Sequence, residues 1–288
     1  GIAYGSACLD TPNILLKQAD YALYAAKNDG KNTYRFYDSV IEKDSQNKQL
    51  LIRQLRQGIL NDRFELRFQP VHNALNRSLV GMEALLRFVD NNNSIVMPDD
   101  FIPLIEKSHL ITEIGAWVVE RSCQYLRELL DAGLFPHNGY VSVNASAKQL
   151  VNEEFIEVIR SSCKRHDIPM KMIVVEITET TIINKPKQAQ HVMQTLRNLG
   201  VKTAIDDFGT GYSSMTYLQK FPFDILKIDK SFIYNLGEST ENLNIIKATM
   251  ALASSFNLSV TAEGVEEEGF VGMLAAMGVD NVQGFHIA

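Results

Sequence analysis

Acidic and amide side chains recur in this sequence where short apolar runs stop. "GMEALLRF" holds Glu83, with Leu85 and Arg87 on the same face at period two, and "YVSVNAS" carries Ser142 and Asn144. "IVVEIT" carries Glu176, "TAIDDF" carries Asp206 and Asp207, and "DILKID" carries Lys227 and Asp229. "VTAEGVE" carries Glu263 with Glu266 behind it, and "NVQGF" carries Gln283. Taken singly, each reads as a cap or a loop hydrogen-bonder. Packed together without cations, such acids repel one another and are poorly solvated. The donors are oxygens, with no His or Cys among them, which favours Mg²⁺ or Mn²⁺ over zinc. Adjacent Asp206 and Asp207 allow one carboxylate to bridge two ions while the other holds the second. Two ions ~3.5–4 Å apart suit in-line displacement at phosphorus. Lys227 fits a role beside the attacking water or the phosphoryl oxygens, or else a plain salt bridge to Asp206 or Asp207. The Gly209-x-Gly211 that follows lacks the Gly-Lys-Ser/Thr ending of a P-loop.

These residues need elements that bring them together. Strand patterns fall at 64–71, 79–88, 140–146, 172–178, 201–208, 224–229, 258–265 and 280–287. Helical patterns lie near 99–107, 113–132, 152–166, 186–199, 213–220, 240–256 and 266–277. The first two strands are too close for a parallel crossover, so they read as an antiparallel hairpin. After them strand and helix alternate. An open doubly wound sheet uses the same elements, but eight strands in ~240 residues fit a (β/α)8 barrel with one reversed strand. In such a barrel the C-terminal strand ends, where the polar residues stand, form the ligand face.

Residues 1–38 read separately: a strand "GIAYG", a helix through Leu15, Leu16, Ala19, Ala22, Leu23 and Ala26 that stops at Gly30, and a strand "TYRFYD". Polar residues 39–50 read as a helical linker into a helix near 48–62. The 288 residues are 45% apolar, enough for a sizeable core, and a net charge of −6 excludes a general basic surface for nucleic acid polymers. Nothing approaches the ~20-residue apolar run of a membrane span, and no signal peptide is visible. Three widely spaced cysteines (Cys8, Cys123, Cys163) read as reduced thiols in a cytoplasmic protein. The six histidines read as surface or loop residues, and Trp117 as core. The opening Gly1 in a strand-like run reads as a piece of a longer protein, and the stop after the last strand as a barrel without its final helix.

The motifs resemble the EAL domains, the cyclic di-GMP phosphodiesterases. The resemblance runs through "QP" (69–70), "EALLRF" (83–88), "FIPLIE" (101–106), "VNASAKQL" (143–150), "EITET" (176–180), "DDFGTGYSS" (206–214), "LKIDKSF" (226–232), "AEGVE" (262–266) and "QG" (283–284), in the right order across 51–288. It implies a TIM-like barrel with an antiparallel first strand and hydrolysis of cyclic di-GMP to linear pGpG with two Mg²⁺ or Mn²⁺ ions. By motif, Glu83, Asn144, Glu176 and Asp206 resemble ligands of a first metal, and Asp206, Asp207 and Glu263 those of a second. Lys227 resembles the lysine beside the hydrolytic water. Gln69, Arg87 and Gln283 resemble substrate-contacting residues, and Glu266 the glutamate that anchors the loop after the strand of Asp206. Phe285 stands where the family often has Tyr. Residues 1–38, through "ADYALYAAKNDGKNTYRF", resemble the tail of a GGDEF domain whose own motif is absent, so no cyclase activity is expected of this chain. The resemblance also implies a homodimer formed through the barrel domain, with the loop after Asp207 near the interface.

Two other readings stay open on the residues: a cyclic di-GMP receptor that binds without turnover, and a metal-dependent barrel acting on another substrate, as an enolase-like enzyme does.

Overall fold

A computed structural model describes the chain apart from residues 6–10, 31, 109, 180, 182–185, 211–214, 235, 238–239 and 285–288. Two compact bodies share it, one made of Gly1–Phe64 with Phe88–Lys107, the other of Glu65–Arg87 with Ser108–Ala288.

The first body carries α1 (Pro12–Asn28) and α2 (Ser39–Leu60). Pro12 opens α1, where its missing N–H costs nothing, and Gly30 lies beyond its end at φ 101°. The Asp38 carboxylate caps α2 by accepting from the Ile41 N–H at 2.7 Å. The linker and the helix expected after it are thus a single helix. Residues 39–57 contain no glycine or proline to break it, and polarity alone does not end a helix. The two strands expected in 1–38 reduce to one bridge between Ile2 and Phe36. Beside them, Phe64, Phe88 and Phe101 form an aromatic core with ring centroids 5.0–6.3 Å apart.

The second body contains the barrel. Strands β1 (Phe64–Asn73), β2 (Leu79–Val89), β4 (Tyr140–Asn144), β5 (Ile173–Thr178), β6 (Lys202–Phe208), β7 (Ile225–Ile228), β8 (Ser259–Ala262) and β9 (Asn281–Val282) close a ring, since β1 pairs with both β2 and β9. All neighbours from β2 through β9 run parallel, while β1 runs against β9. The reversed first strand read from the short hairpin is therefore present. Sequence reading passed over β3 (Ile95–Val96), which pairs with the end of β2, and the four-residue helix Lys230–Ile233. Both are too short to carry a period.

Alternation along each strand sorts the barrel interior into layers. Low in the ring, Val174, Ala204 and Ile225 form an apolar cluster on which Tyr140 packs. Tyr140 is the register partner of Gly81, two residues before Glu83. A Cβ at Gly81 would lie 2.6–2.8 Å from the Tyr140 ring, so the absence of a side chain there is what admits the ring. Burial pushes the Tyr140 hydroxyl well above the usual tyrosine pKa, so the ring stays a neutral part of this floor even at high pH. Above the floor each strand, or the residue just past it, turns a polar side chain inward.

Gly81→Val is expected to lower stability by about 1–3 kcal/mol in thermal melts although Val favours strands, because the ring has nowhere to move. Gly81→Val with Tyr140→Ala should recover part of the loss. An unchanged melting temperature in the single variant would show that the ring is not seated on this glycine.

Candidate active site

Lys227 stands at the centre of the polar layer. It is 3% exposed, and its Nζ reaches four carboxylates: Glu263 at 2.6 Å, Glu176 at 2.7 Å, Glu83 at 3.2 Å and Asp206 at 3.2 Å. The carboxylates come from β2, β5, β6 and the residue just past β8, and the lysine from β7; they converge across a staggered register, in which Glu176 pairs with Ala204 and Asp206 with Thr178. Asn144, beside Glu176 in register, donates its Nδ2 to Glu83 Oε1 at 2.9 Å. Gln283, just past β9, donates its Nε2 to Glu83 Oε2 at 2.7 Å and to Gln69 Oε1 at 3.0 Å. This amide chain links β9, β2 and the reversed β1. The buried Gln283 Oε1 has no partner among the described residues and is left to accept.

Simple alternation cannot point both Asp206 and Asp207 inward. The structure resolves this with a break in the β6–β7 register between Ile205 and Phe208, and Asp207 adopts a left-handed φ of 54°. Its N–H donates to the Asp206 Oδ1 at 3.1 Å, and the Thr210 hydroxyl donates to its carbonyl at 2.9 Å. The turn re-aims Asp207 so that carboxylate oxygens of Asp206, Asp207 and Glu263 lie within 4.8 Å of one another. A cluster this tight, all carboxylate, suits a hard divalent cation.

The charges explain why the cluster wants one. Burial alone would weaken the Lys227 ammonium, but Glu176, Glu263, Glu83 and Asp206 overcome it and hold its pKa well above the ordinary lysine value. Burial also works against the Glu83 charge, yet Lys227 and the hydrogen bonds from Gln283 and Asn144 bring its pKa below the usual range. One cation cannot serve every acid. Burial, with Glu83 beside it, drives Glu176 well above the usual range. Burial raises Glu263 to about 8, and burial with the Asp206 and Asp229 charges raises Asp207 to about 6.

The structure thus brings Glu83, Asn144, Glu176, Asp206, Asp207, Lys227, Glu263, Gln69 and Gln283 into one constellation. Arg87 lies four residues beyond Glu83, partly buried, with its guanidinium donating to the Leu86 carbonyl at 2.8 Å. Glu266 does not join the ring. Strand pairing ends at Ala262, so alternation no longer directs the chain, and Glu266 is exposed. Its expected partner loop, 211–214, lies outside the described residues, as do Phe285 and His286. Asp229, noted beside Lys227 in the sequence but given no role there, caps the helix Lys230–Ile233 by accepting from the Ser231 N–H at 2.9 Å and adds charge against Asp207. Sequence reading missed Glu179, a carboxylate buried just past β5. The signal for Glu179 was present: it lies three residues beyond Glu176.

The EAL domain family model matches residues 52–288. A Pseudomonas aeruginosa protein named as the bifunctional diguanylate cyclase/cyclic di-GMP phosphodiesterase MucR is 36% identical over 99% of this chain and 41% of its own length. The chain therefore spans less than half of that relative. A solved structure titled as the PaMucR phosphodiesterase in complex with c-di-GMP superposes with a TM-score of 0.78 at 35% identity, covering 83% of this chain and 96% of that one. The FimX EAL domain from Pseudomonas aeruginosa, bound to c-di-GMP, gives a TM-score of 0.74 at 26% identity over 82% and 93% of the two chains. Among the described residues no helix is long and apolar enough to cross a membrane.

Folded Glu263 keeps its proton to about 8, whereas the unfolded chain releases it near the ordinary 4.5. Between those values the folded state binds more protons, so rising pH disfavours it. Metal-free protein should therefore lose stability as pH climbs through this window, with Glu263→Gln flattening the loss. Added Mn²⁺ should raise the melting temperature more at the upper end than at the lower. A Glu263→Gln profile parallel to that of the unaltered chain would contradict this account of the ring.

Proposed function

The chain belongs to the EAL domain family, and on that premise we propose that it is a two-metal-ion phosphodiesterase that opens cyclic di-GMP to linear pGpG. The observation that carries the reading is the convergence of five carboxylates, Asn144 and Lys227 at one end of the barrel. Glu83, Asn144, Glu176 and Asp206 would hold one Mg²⁺ or Mn²⁺, and Asp206, Asp207 and Glu263 a second. Bound there, the ions supply Lewis-acid stabilisation of the phosphoryl oxygens and a nucleophilic water at neutral pH.

The chain's own groups do the rest. Lys227, held charged by its neighbours, donates to the attacking water or a phosphoryl oxygen. Asn144 and Gln283 fix the Glu83 carboxylate from both sides, so its lone pairs face the ring. Gln69 and Arg87 contact the substrate, Arg87 through phosphate. Glu266 is assigned to the loop that follows Asp207, as the residue that holds its position. Residues 1–38 are read as the remnant of a GGDEF-like domain, 39–50 as a connecting helical segment and 51–288 as the phosphodiesterase domain. Two copies are proposed to pair through the barrel, and the protein to act in the cytoplasm in second-messenger control.

With Mg²⁺ or Mn²⁺ the purified chain should convert cyclic di-GMP to pGpG. Glu83→Ala and Asp207→Asn should each lose at least ~100-fold in rate, since either removes metal-held charge from the transition state. Full activity in both variants sinks the assignment. Tight binding with no product under saturating Mn²⁺ replaces it with a receptor.

A further inference from the structure

The acidic ring poses a problem for its proposed ligand. A cyclic dinucleotide carries two phosphodiesters, and only one can sit on the ring's cations. The other must lie nearby on a face dominated by carboxylates, so it needs positive charge supplied from elsewhere.

The reversed strand offers it. Because β1 runs opposite to its neighbours, residues earlier in its sequence lie nearer the ligand face. Parity along β1 is set by contacts on both sides: Phe68 packs outward against Tyr125 of the helix Leu110–Asp131, with ring centroids 5.5 Å apart, while Gln69 turns inward to Gln283. Val71, on the Gln69 side, is buried. Arg67 therefore shares the inward face, ~7 Å closer to the mouth than Gln69 at the usual strand rise. On β2, Glu83 points inward and Arg87 shares its parity, four residues nearer the same mouth. The two guanidiniums sense each other: after burial, the Arg67 charge is the largest influence lowering the Arg87 pKa. Among the described residues neither is in an ion pair, although the Glu83 charge acts on Arg87, and Arg67 is exposed. Like charges placed together without an anion cost free energy, and a phosphate set between them removes the cost.

We propose that Arg67, together with Arg87, forms a two-guanidinium clamp for the phosphodiester of the cyclic dinucleotide that is not being cleaved. The clamp rests on the phosphodiesterase reading. Arg67 sets affinity for a ligand with two phosphates and leaves the cleavage machinery to the ring.

The test is a charge series at one position. Arg67→Lys, Arg67→Gln and Arg67→Glu are compared with the unaltered chain for cyclic di-GMP binding in Ca²⁺, for KM and kcat in Mn²⁺, and for thermal stability. Arg67→Gln should weaken binding and raise KM by at least ~5-fold with kcat changed less than ~3-fold, Lys should lie between Arg and Gln, and Glu should be worst. Melting temperatures should not follow that order. Unchanged Kd and KM in Arg67→Gln and Arg67→Glu overturn the clamp and leave the phosphodiesterase reading intact. No binding of cyclic di-GMP by the unaltered chain overturns both. Binding with no turnover overturns only the catalytic reading, and the Ca²⁺ series still decides on Arg67.

Discussion

One buried ammonium facing four carboxylates is the constraint on which the rest of the barrel depends. Lys227 has almost no access to water, so its charge survives only because acids from several strands surround it. The acids in turn outnumber it. Removing one partner from such a group leaves a buried charge without compensation, a costlier change than the loss of a surface ion pair. The polar layer is thus held in tension: Glu83 is stabilised as an anion, while Glu176 and Glu263 are pushed toward the neutral form.

The backbone is arranged to create that crowding. Parallel register delivers inward residues of successive strands to similar heights, as with Asn144 beside Glu176 and Thr178 beside Asp206. Two departures from regularity complete the site. The break after Ile205 and the left-handed Asp207 add a second carboxylate from a strand that would otherwise contribute one. The reversed β1 brings Gln69 against Gln283, and through it stiffens Glu83. Beneath them a neutral floor of Val174, Ala204, Ile225 and Tyr140 keeps the charged layer from reaching through the barrel.

Much of this was legible in the sequence because the barrel obeys period two. Lys227 and Glu83 could be placed inward from alternation alone, and the hairpin's shortness betrayed the reversed strand. The reading stopped where alternation stops. Adjacent aspartates said that both were needed but not how the chain would turn the second one inward. Strand β8 ends at Ala262, so alternation could not separate Glu263, which enters the ring, from Glu266, which is exposed; only the motif resemblance gave them different roles. Residues 39–50 read as a helical linker into a separate helix near 48–62, and the structure joins both in one helix capped by Asp38.

The hub also explains why the ring is neither a stable ion-pair cluster nor an empty cup. If the acids were only structural, a surplus over one lysine would be a defect, and neutral residues of similar volume would hold the barrel better. If they were only ligands, the lysine would be an obstacle, since its charge opposes a cation. On the proposed metal-dependent reading, both make sense if the ammonium is a counter-ion that keeps the carboxylates gathered in the metal-free chain. Cations taking over Glu176, Glu263 and Asp206 would free donor hydrogens of Lys227 that those oxygens now occupy. Those hydrogens would then be available to an anion or water at the ring. On that reading the barrel would preorganise its donors at the cost of metal-free stability, a trade common at active sites.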